Sequence, residues 1–165
     1  MQEAKICNST EALTKSLQDK MTPGVPSFFR LETMLPKQGR TDIAMAATPN
    51  MTVMLKAYAA TGENVLHAHV NEDHVFMVLQ GQATFHGPGG EEKVIGCHEG
   101  VMLPKGTFYW FRATSEEPLV MVRVGAVSNA DVLATERIGF DGKPMDGYSE
   151  ANKEIPVVLS GDYFR

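Results

Sequence analysis

Cysteine is nearly absent from this chain: Cys7 and Cys97 are the only two among 165 residues. Two thiols so far apart form neither a disulfide framework nor a Cys-x-x-Cys ligand pair, and they fit a reducing, cytoplasmic setting. A long apolar run is also lacking. Nothing approaches the ~18 consecutive apolar residues of a membrane span, and the first fifteen residues carry charges where a signal peptide needs its apolar stretch. Clusters of Lys and Arg are missing as well, and the formal charge of −5 is spread along the chain. That pattern excludes nucleic acid and membrane surfaces as expected partners.

The 43% of apolar residues and 21% of charged ones fit one globular domain. A chain of this length buries roughly 70% of the surface that its unfolded form exposes, so it needs no metal merely to fold. A bound metal would therefore be functional.

Near 9–20 the sequence predicts a short helix, with Asn8 as a cap, Glu11 three positions later, and Ala12, Leu13 and Leu17 on its apolar side. The run Met21-Thr22-Pro23-Gly24-Val25-Pro26 ends it. From Phe28 the texture changes to short apolar stretches separated by Gly, Pro, Asn and Asp, which predicts many short strands and an all-β fold. Expected strands are Phe28–Leu31, Ala44–Ala46, Thr52–Ala59, Val65–His69, His74–Gln80, Gln82–His86, Glu92–Ile95, Gly100–Leu103, Thr107–Arg112 and Leu119–Val127. Pro88-Gly89-Gly90 and Pro104-Lys105-Gly106 supply sharp turns. This divides the chain into an N-terminal helix and arm (1–27), a β-barrel (28–138) and a C-terminal arm (139–165) on the barrel or on a second subunit.

All five histidines, His67, His69, His74, His86 and His98, fall in one stretch. Side chains alternate along a strand, so His67 and His69 project to the same side, as two ligands of one ion require. Asn71-Glu72-Asp73 can turn the chain so that His74, in phase with Phe76 and Val78, brings a third imidazole to the same point. Imidazole suits several transition ions, so the cluster predicts a site without naming its metal. His86, out of phase with Ala83 and Phe85, reads as an exposed strand end, and His98 is ambiguous.

These residues resemble the two motifs of the cupin superfamily. The first, G-x5-H-x-H-x3,4-E-x6-G, is matched by Gly62, His67, His69, position 74 and Gly81, with one residue fewer after the first glycine. The family's glutamate falls on His74, and neither Glu72 nor Asp73 sits at the matching register. The second, G-x5-P-x-G-x2-H-x3-N, is similar to the segment holding Pro104 and Gly106. There Tyr109 stands for the histidine, Ala113 for the asparagine and His98 for the leading glycine. The resemblance covers roughly 52–127 and implies a double-stranded β-helix, or jelly-roll barrel, that holds one divalent transition metal ion (Fe, Zn, Mn or Ni). It also implies pairing into a homodimer through edge strands and arms.

Three neutral imidazoles leave a divalent ion its full charge and open positions for a chelating substrate. The expected function is a mononuclear oxygenase or lyase acting on a small organic acid, phenol or diketone. The alternatives are a non-catalytic ligand-binding or sensor module and a metal-free isomerase. Tyr109 has three available roles: phenolate ligand, proton donor beside the metal, or packing residue. Arg123, on one face with Leu119 and Met121, is a candidate anchor for a substrate carboxylate through its planar fork, and an exposed strand arginine is the other reading. Phe76 and Phe111 are the expected apolar lining of the substrate pocket.

Overall fold

The computed structural model describes residues 5–60, 64–132 and 136–165. Its strands and single α-helix run in the order β1 (Ile6–Cys7), α1 (Thr10–Asp19), β2 (Thr33–Gln38), β3 (Arg40–Thr48), β4 (Met51–Tyr58), β5 (His67–His69), β6 (Glu72–Gln80) and β7 (Gln82–His86). There follow β8 (Glu92–Gly96), β9 (Gly100–Leu103), β10 (Trp110–Ala113), β11 (Leu119–Val127), β12 (Arg137–Gly139) and β13 (Val158–Phe164). A six-stranded sheet in the order β1-β3-β4-β11-β6-β9 faces a three-stranded sheet, β10-β7-β8. Two short pairs, β12-β5 and β13-β2, complete the array. This is the all-β fold that the strand texture predicts, in the double-stranded β-helix arrangement that the resemblance implies.

Alternation builds the interior. Tyr58, Phe76, Val78, Leu119 and Met121 of the large sheet meet Ala83, Phe85, Ile95, Phe111 and Ala113 of the small one in a single buried cluster. The other side of the large sheet is covered in its turn. There Leu35, Ile43, Leu55, Val120 and Val122 form a second cluster, with Phe164 of β13 packed against it. The helix lays Leu13 and Leu17, four residues apart on one face, against Ala44 and Ala47 of β3.

Several bounds differ from the sequence reading. The helix cap is Ser9, whose Oγ accepts from the Ala12 amide at 3.0 Å, so the capping role falls one residue beyond Asn8. Phe28–Leu31 is not a strand: Phe28 and Phe29 are exposed, and the first long pairing begins at Thr33. The expected strand Thr107–Arg112 starts only at Trp110, because Pro104–Thr107 is a turn and Tyr109 forms an isolated bridge to His67. Gly62, the first glycine of the expected motif, lies outside the described residues.

The barrel interior also holds charge. Lys56 on β4 and Asp42 on β3 are directly paired in register and form a buried ion pair, and Asp42 accepts a further hydrogen bond from Tyr148 Oη at 2.8 Å. Burial pulls the Lys56 ammonium down to about 8 although Asp42 pulls the other way. Burial pushes the Asp42 carboxyl up, but Lys56 and Arg40 outweigh it and hold it well below the usual carboxylate range. Both groups are thus charged at neutral pH. Removing one leaves the other buried without compensation, which costs about 3–5 kcal/mol. Asp42→Asn is expected to lower unfolding stability by that amount in urea titration, and the double substitution Asp42→Leu, Lys56→Met to lower it by much less; equal losses would show that charge compensation is not what the pair provides.

Candidate metal centre

Strand β6 begins at Glu72, so Glu72, His74, Phe76 and Val78 share one parity and one inward face. The buried positions along the strand confirm the phase: all four are 2% exposed or less. Strand β5 turns His67 and His69 into the same interior. His69, Glu72 and His74 come together, with one ligand atom of each within 4.8 Å of the others. Among the described residues this is the one group of His, Cys and carboxylate side chains placed to share an ion.

The group differs from the three imidazoles expected. Glu72 points inward, two residues before His74, and supplies a carboxylate that the motif register did not assign. His67 falls outside the group. Its Nδ1 lies 2.6 Å from the Val65 carbonyl oxygen, which can only accept, so Nδ1 carries the proton and Nε2 keeps its lone pair. Its ring packs on Tyr109, with centroids 4.7 Å apart, and stands edge-on to His69 at 5.2 Å.

Two features fit these residues to a divalent ion. His69 Nδ1 is buried without a hydrogen-bond partner. Gly125 of β11 pairs with His74 in the sheet, and a Cβ there would overlap Glu72 Oε1 and lie 2.7 Å from Thr52 Oγ1. The missing side chain is thus what lets the carboxylate lie flat on the sheet, where Thr52 Oγ1 donates to it at 3.0 Å. Two imidazoles and a carboxylate with open positions are the donor set of mononuclear non-haem iron sites, and they also suit Zn, Mn and Ni.

Protonation states agree with that role. Burial, reinforced by Arg137, pulls His67 down to about 3. Burial and Arg123 pull His74 down to about 4 against the opposing pull of Glu72. His69 is held well below the ordinary imidazole value by burial and by His74. Burial pushes Glu72 up, but the adjacent Arg123 guanidinium outweighs it and brings the carboxyl below its ordinary value. At neutral pH the rings are neutral and the carboxylate is ionised, the states in which these groups bind metal.

Arg123 is buried, which settles its alternative reading as an exposed strand residue. Its Nη2 contacts both Glu72 Oε2 and His74 Nε2, while its Nη1 lies 3.0 Å from Met54 Sδ. The carboxylate oxygen and the imidazole nitrogen are themselves 3.0 Å apart. With the ring neutral and Nδ1 protonated, two lone pairs converge on one cationic nitrogen, the relation that the same atoms would have to a metal ion.

A narrow cavity of about 20 Å³ lies next to this group, on the far side of Arg123. Tyr58, Phe76, Phe111 and Tyr109 line it on the apolar side, and Arg40, Lys56, Arg123, Arg137, Asn64 and His67 on the polar side. Phe76 and Phe111, expected as pocket lining, are there. Tyr109 is 5% exposed, and burial pushes its phenol up to about 12, so the hydroxyl keeps its proton at neutral pH. The aromatic run divides by parity, with Tyr109 and Phe111 inward and Phe108 packed edge-on to Phe140 at 5.2 Å.

The two remaining histidines are placed away from the cavity. His86 is buried, contrary to its reading as an exposed strand end: Trp110, its register partner, stacks on it with centroids 3.9 Å apart, and Glu92 Oε1 lies 3.0 Å from Nδ1. His98 is exposed in the turn before β9 with φ +68°. That left-handed conformation is one glycine adopts freely and histidine tolerates better than most residues, which accounts for a glycine at the matching motif position.

No curated protein matches the sequence. The family model of the cupin domain matches residues 54–125, from within β4 to within β11, and so includes every residue of the His69, Glu72, His74 group. Among solved structures, the cupin domain of Cnp3 from Schizosaccharomyces pombe is similar with a TM-score of 0.51 and 14% identity, over 64% of this chain and 66% of that one. KdgF from a Halomonas species gives a TM-score of 0.49 at 20% identity over 58% of this chain and 86% of that one. An uncharacterised protein with a double-stranded β-helix domain from Klebsiella pneumoniae gives 0.49 at 19% over 68% and 88%. The domain match and the paired sheets agree with the histidine motif: residues 54–125 of this chain carry a cupin domain.

Proposed function

We propose that the chain is a mononuclear metal-dependent cupin enzyme of oxygenase or lyase type, acting on a small chelating organic acid, phenol or diketone. The observation that carries this reading is the enclosed set His69, Glu72 and His74, with ligand atoms within 4.8 Å and a cavity alongside. One divalent ion, Fe, Zn, Mn or Ni, would be held there and would polarise a substrate oxygen as a Lewis acid. Glu72 lowers the net charge of the site relative to three imidazoles and leaves coordination positions for a chelating substrate.

The chain's own residues do the rest. Tyr109, with a neutral phenol in the cavity wall, holds a proton that it can deliver to a developing anionic oxygen. His67, its Nδ1 fixed by Val65, keeps ring and lone pair oriented beside Tyr109. Phe76 and Phe111 exclude water from the substrate, which strengthens every electrostatic contact made there. A homodimer, formed through exposed edges and arms, is the assembly proposed with this function.

A second reading rests on Arg123. Its guanidinium already satisfies Glu72 and His74 as a cation, which also fits a metal-free binding module or isomerase built on the same barrel. Metal content separates the two. Protein purified without added metal is expected to carry one transition ion per chain by elemental analysis, and His69→Ala to carry none; metal-free wild type with full activity would establish the second reading. Arg123→Met removes the competing cation and is expected to tighten metal binding by about tenfold or more, measured by chelator competition, because the repulsion lost exceeds the ~1.4 kcal/mol that a factor of ten requires. Gly125→Ala displaces the Glu72 carboxylate and is expected to weaken metal binding about 10–100-fold with the fold retained, as losses of ligand support do. Unchanged affinity in that variant would remove Glu72 from the ligand set.

A further inference from the structure

The polar wall of the cavity carries four cationic side chains, Arg40, Lys56, Arg123 and Arg137, and no carboxylate. Three of the four are compensated from outside the wall. Arg40 pairs with Glu154 at 2.7 Å and donates to the Gly147 carbonyl, Lys56 pairs with Asp42, and Arg123 pairs with Glu72. Arg137 makes no ion pair among the described residues, and its Nε is buried without a hydrogen-bond partner. Among the described residues, the cavity wall is therefore one negative charge short, at Arg137.

The sheet sets that place. Strand β12 pairs with β5 so that Arg137 stands opposite His69, and paired residues project to the same face. The Arg137 guanidinium accordingly shares the cavity with His67 and Tyr109. The segment through Gly147 closes over it from the other side, so tightly that a Cβ at Gly147 would lie 2.7 Å from Nη2. Arg137 is half-buried, with its Nε shielded from solvent, and a guanidinium stays charged there; a charge partly withdrawn from water with no partner is stabilised by an arriving counter-ion. A carboxylate matches its planar fork through two parallel hydrogen bonds, whereas a phenol or a neutral diketone matches neither the charge nor the fork.

We propose that Arg137 is the anion-binding residue of the cavity and that the ligand is a small organic acid whose carboxylate pairs with it. The adjacent phenol of Tyr109 offers a further donor, while the Asn64 amide is held by the Phe111 backbone. For the word substrate this rests on the function proposed above; the binding site itself does not require the metal. It narrows the substrate class to carboxylic acids and assigns the anchoring role to Arg137 rather than to Arg123, whose guanidinium is engaged by Glu72.

The test uses the full chain stripped of divalent metal by chelation and dialysis. Thermal unfolding is followed in rising acetate or glycolate, with inorganic phosphate and chloride at matched ionic strength as controls. Wild type is expected to show a saturable rise in Tm with the carboxylates above that with chloride. Arg137→Gln is expected to unfold at a temperature no lower than wild type without added anion, since it sheds an unpaired, half-buried charge, and to lose the saturable rise. Arg137→Lys, which keeps the charge but not the fork, is expected to retain a weaker response. Absence of a saturable carboxylate response in wild type, a response to phosphate alone, or a full carboxylate response in Arg137→Gln would each overturn the proposal. Zinc titration of the same samples is an independent readout. A carboxylate response that depends on Arg137 in a chain that takes up no zinc sustains the anion site while removing the metal-dependent function, and zinc uptake without that response does the reverse.

Discussion

The contact of Arg123 with Glu72 and His74 is the constraint around which the interior is arranged. A carboxylate that is 1% exposed cannot remain ionised without a cation, and Arg123 is the cation the fold provides. Its position follows from pairing on both sides of β11: Arg123 stands beside Phe76 of β6 and beside Met54 of β4, so its side chain is delivered into the barrel by two registers at once. Glu72 then needs room to lie against the sheet, and Gly125 supplies it. A metal ion bound here would compete with the guanidinium for the same lone pairs, so occupancy of the site would be a balance between an external cation and an internal one.

That balance explains why so much charge is enclosed. Arg40, Lys56 and Arg123 each have a carboxylate partner, and the pairs are spread around one cavity. Together they make a polar interior within a shell of aliphatic and aromatic side chains, where interactions are stronger than at the surface because water is largely excluded. The apolar clusters on either side of the large sheet keep the shell rigid, and they do so with residues of alternating parity from the same strands that carry the charges. On these strands the inward face thus carries both the charges and the first apolar cluster, while the opposite face of β4 and β11 carries the second.

Much of this was legible in the sequence, and the failures have physical causes. Gln82–His86, Gly100–Leu103 and Leu119–Val127 are found at the bounds expected because each is a clean run flanked by turn residues. Phe28 and Phe29 suggest a strand through composition alone, and among the described residues no strand pairs with them. The His69 and His74 placements follow from alternation. The same rule places Glu72, two residues before His74 on one strand, on the inward face, whereas the family's register puts the acid at position 74. His86 was misjudged because its burial comes from Trp110 on another strand, a neighbour set only by tertiary pairing. Arg137 left no local signal at all: it lies in a polar stretch, and its meaning comes from pairing with β5, which no periodicity in that stretch announces.

The union of β13 with β2 joins segments more than a hundred positions apart, and it covers the second apolar cluster with Phe164. Such a long-range clasp forms only after the intervening sheets have brought its halves near each other, because closing so large a loop in a disordered chain carries an entropic cost without immediate reward. The outer surface of the large sheet is therefore the last part of the molecule to be sealed during folding. Until that moment Leu35, Ile43 and Val122 are open to solvent, and the folding chain is at its most adhesive along the face that later becomes its best protected.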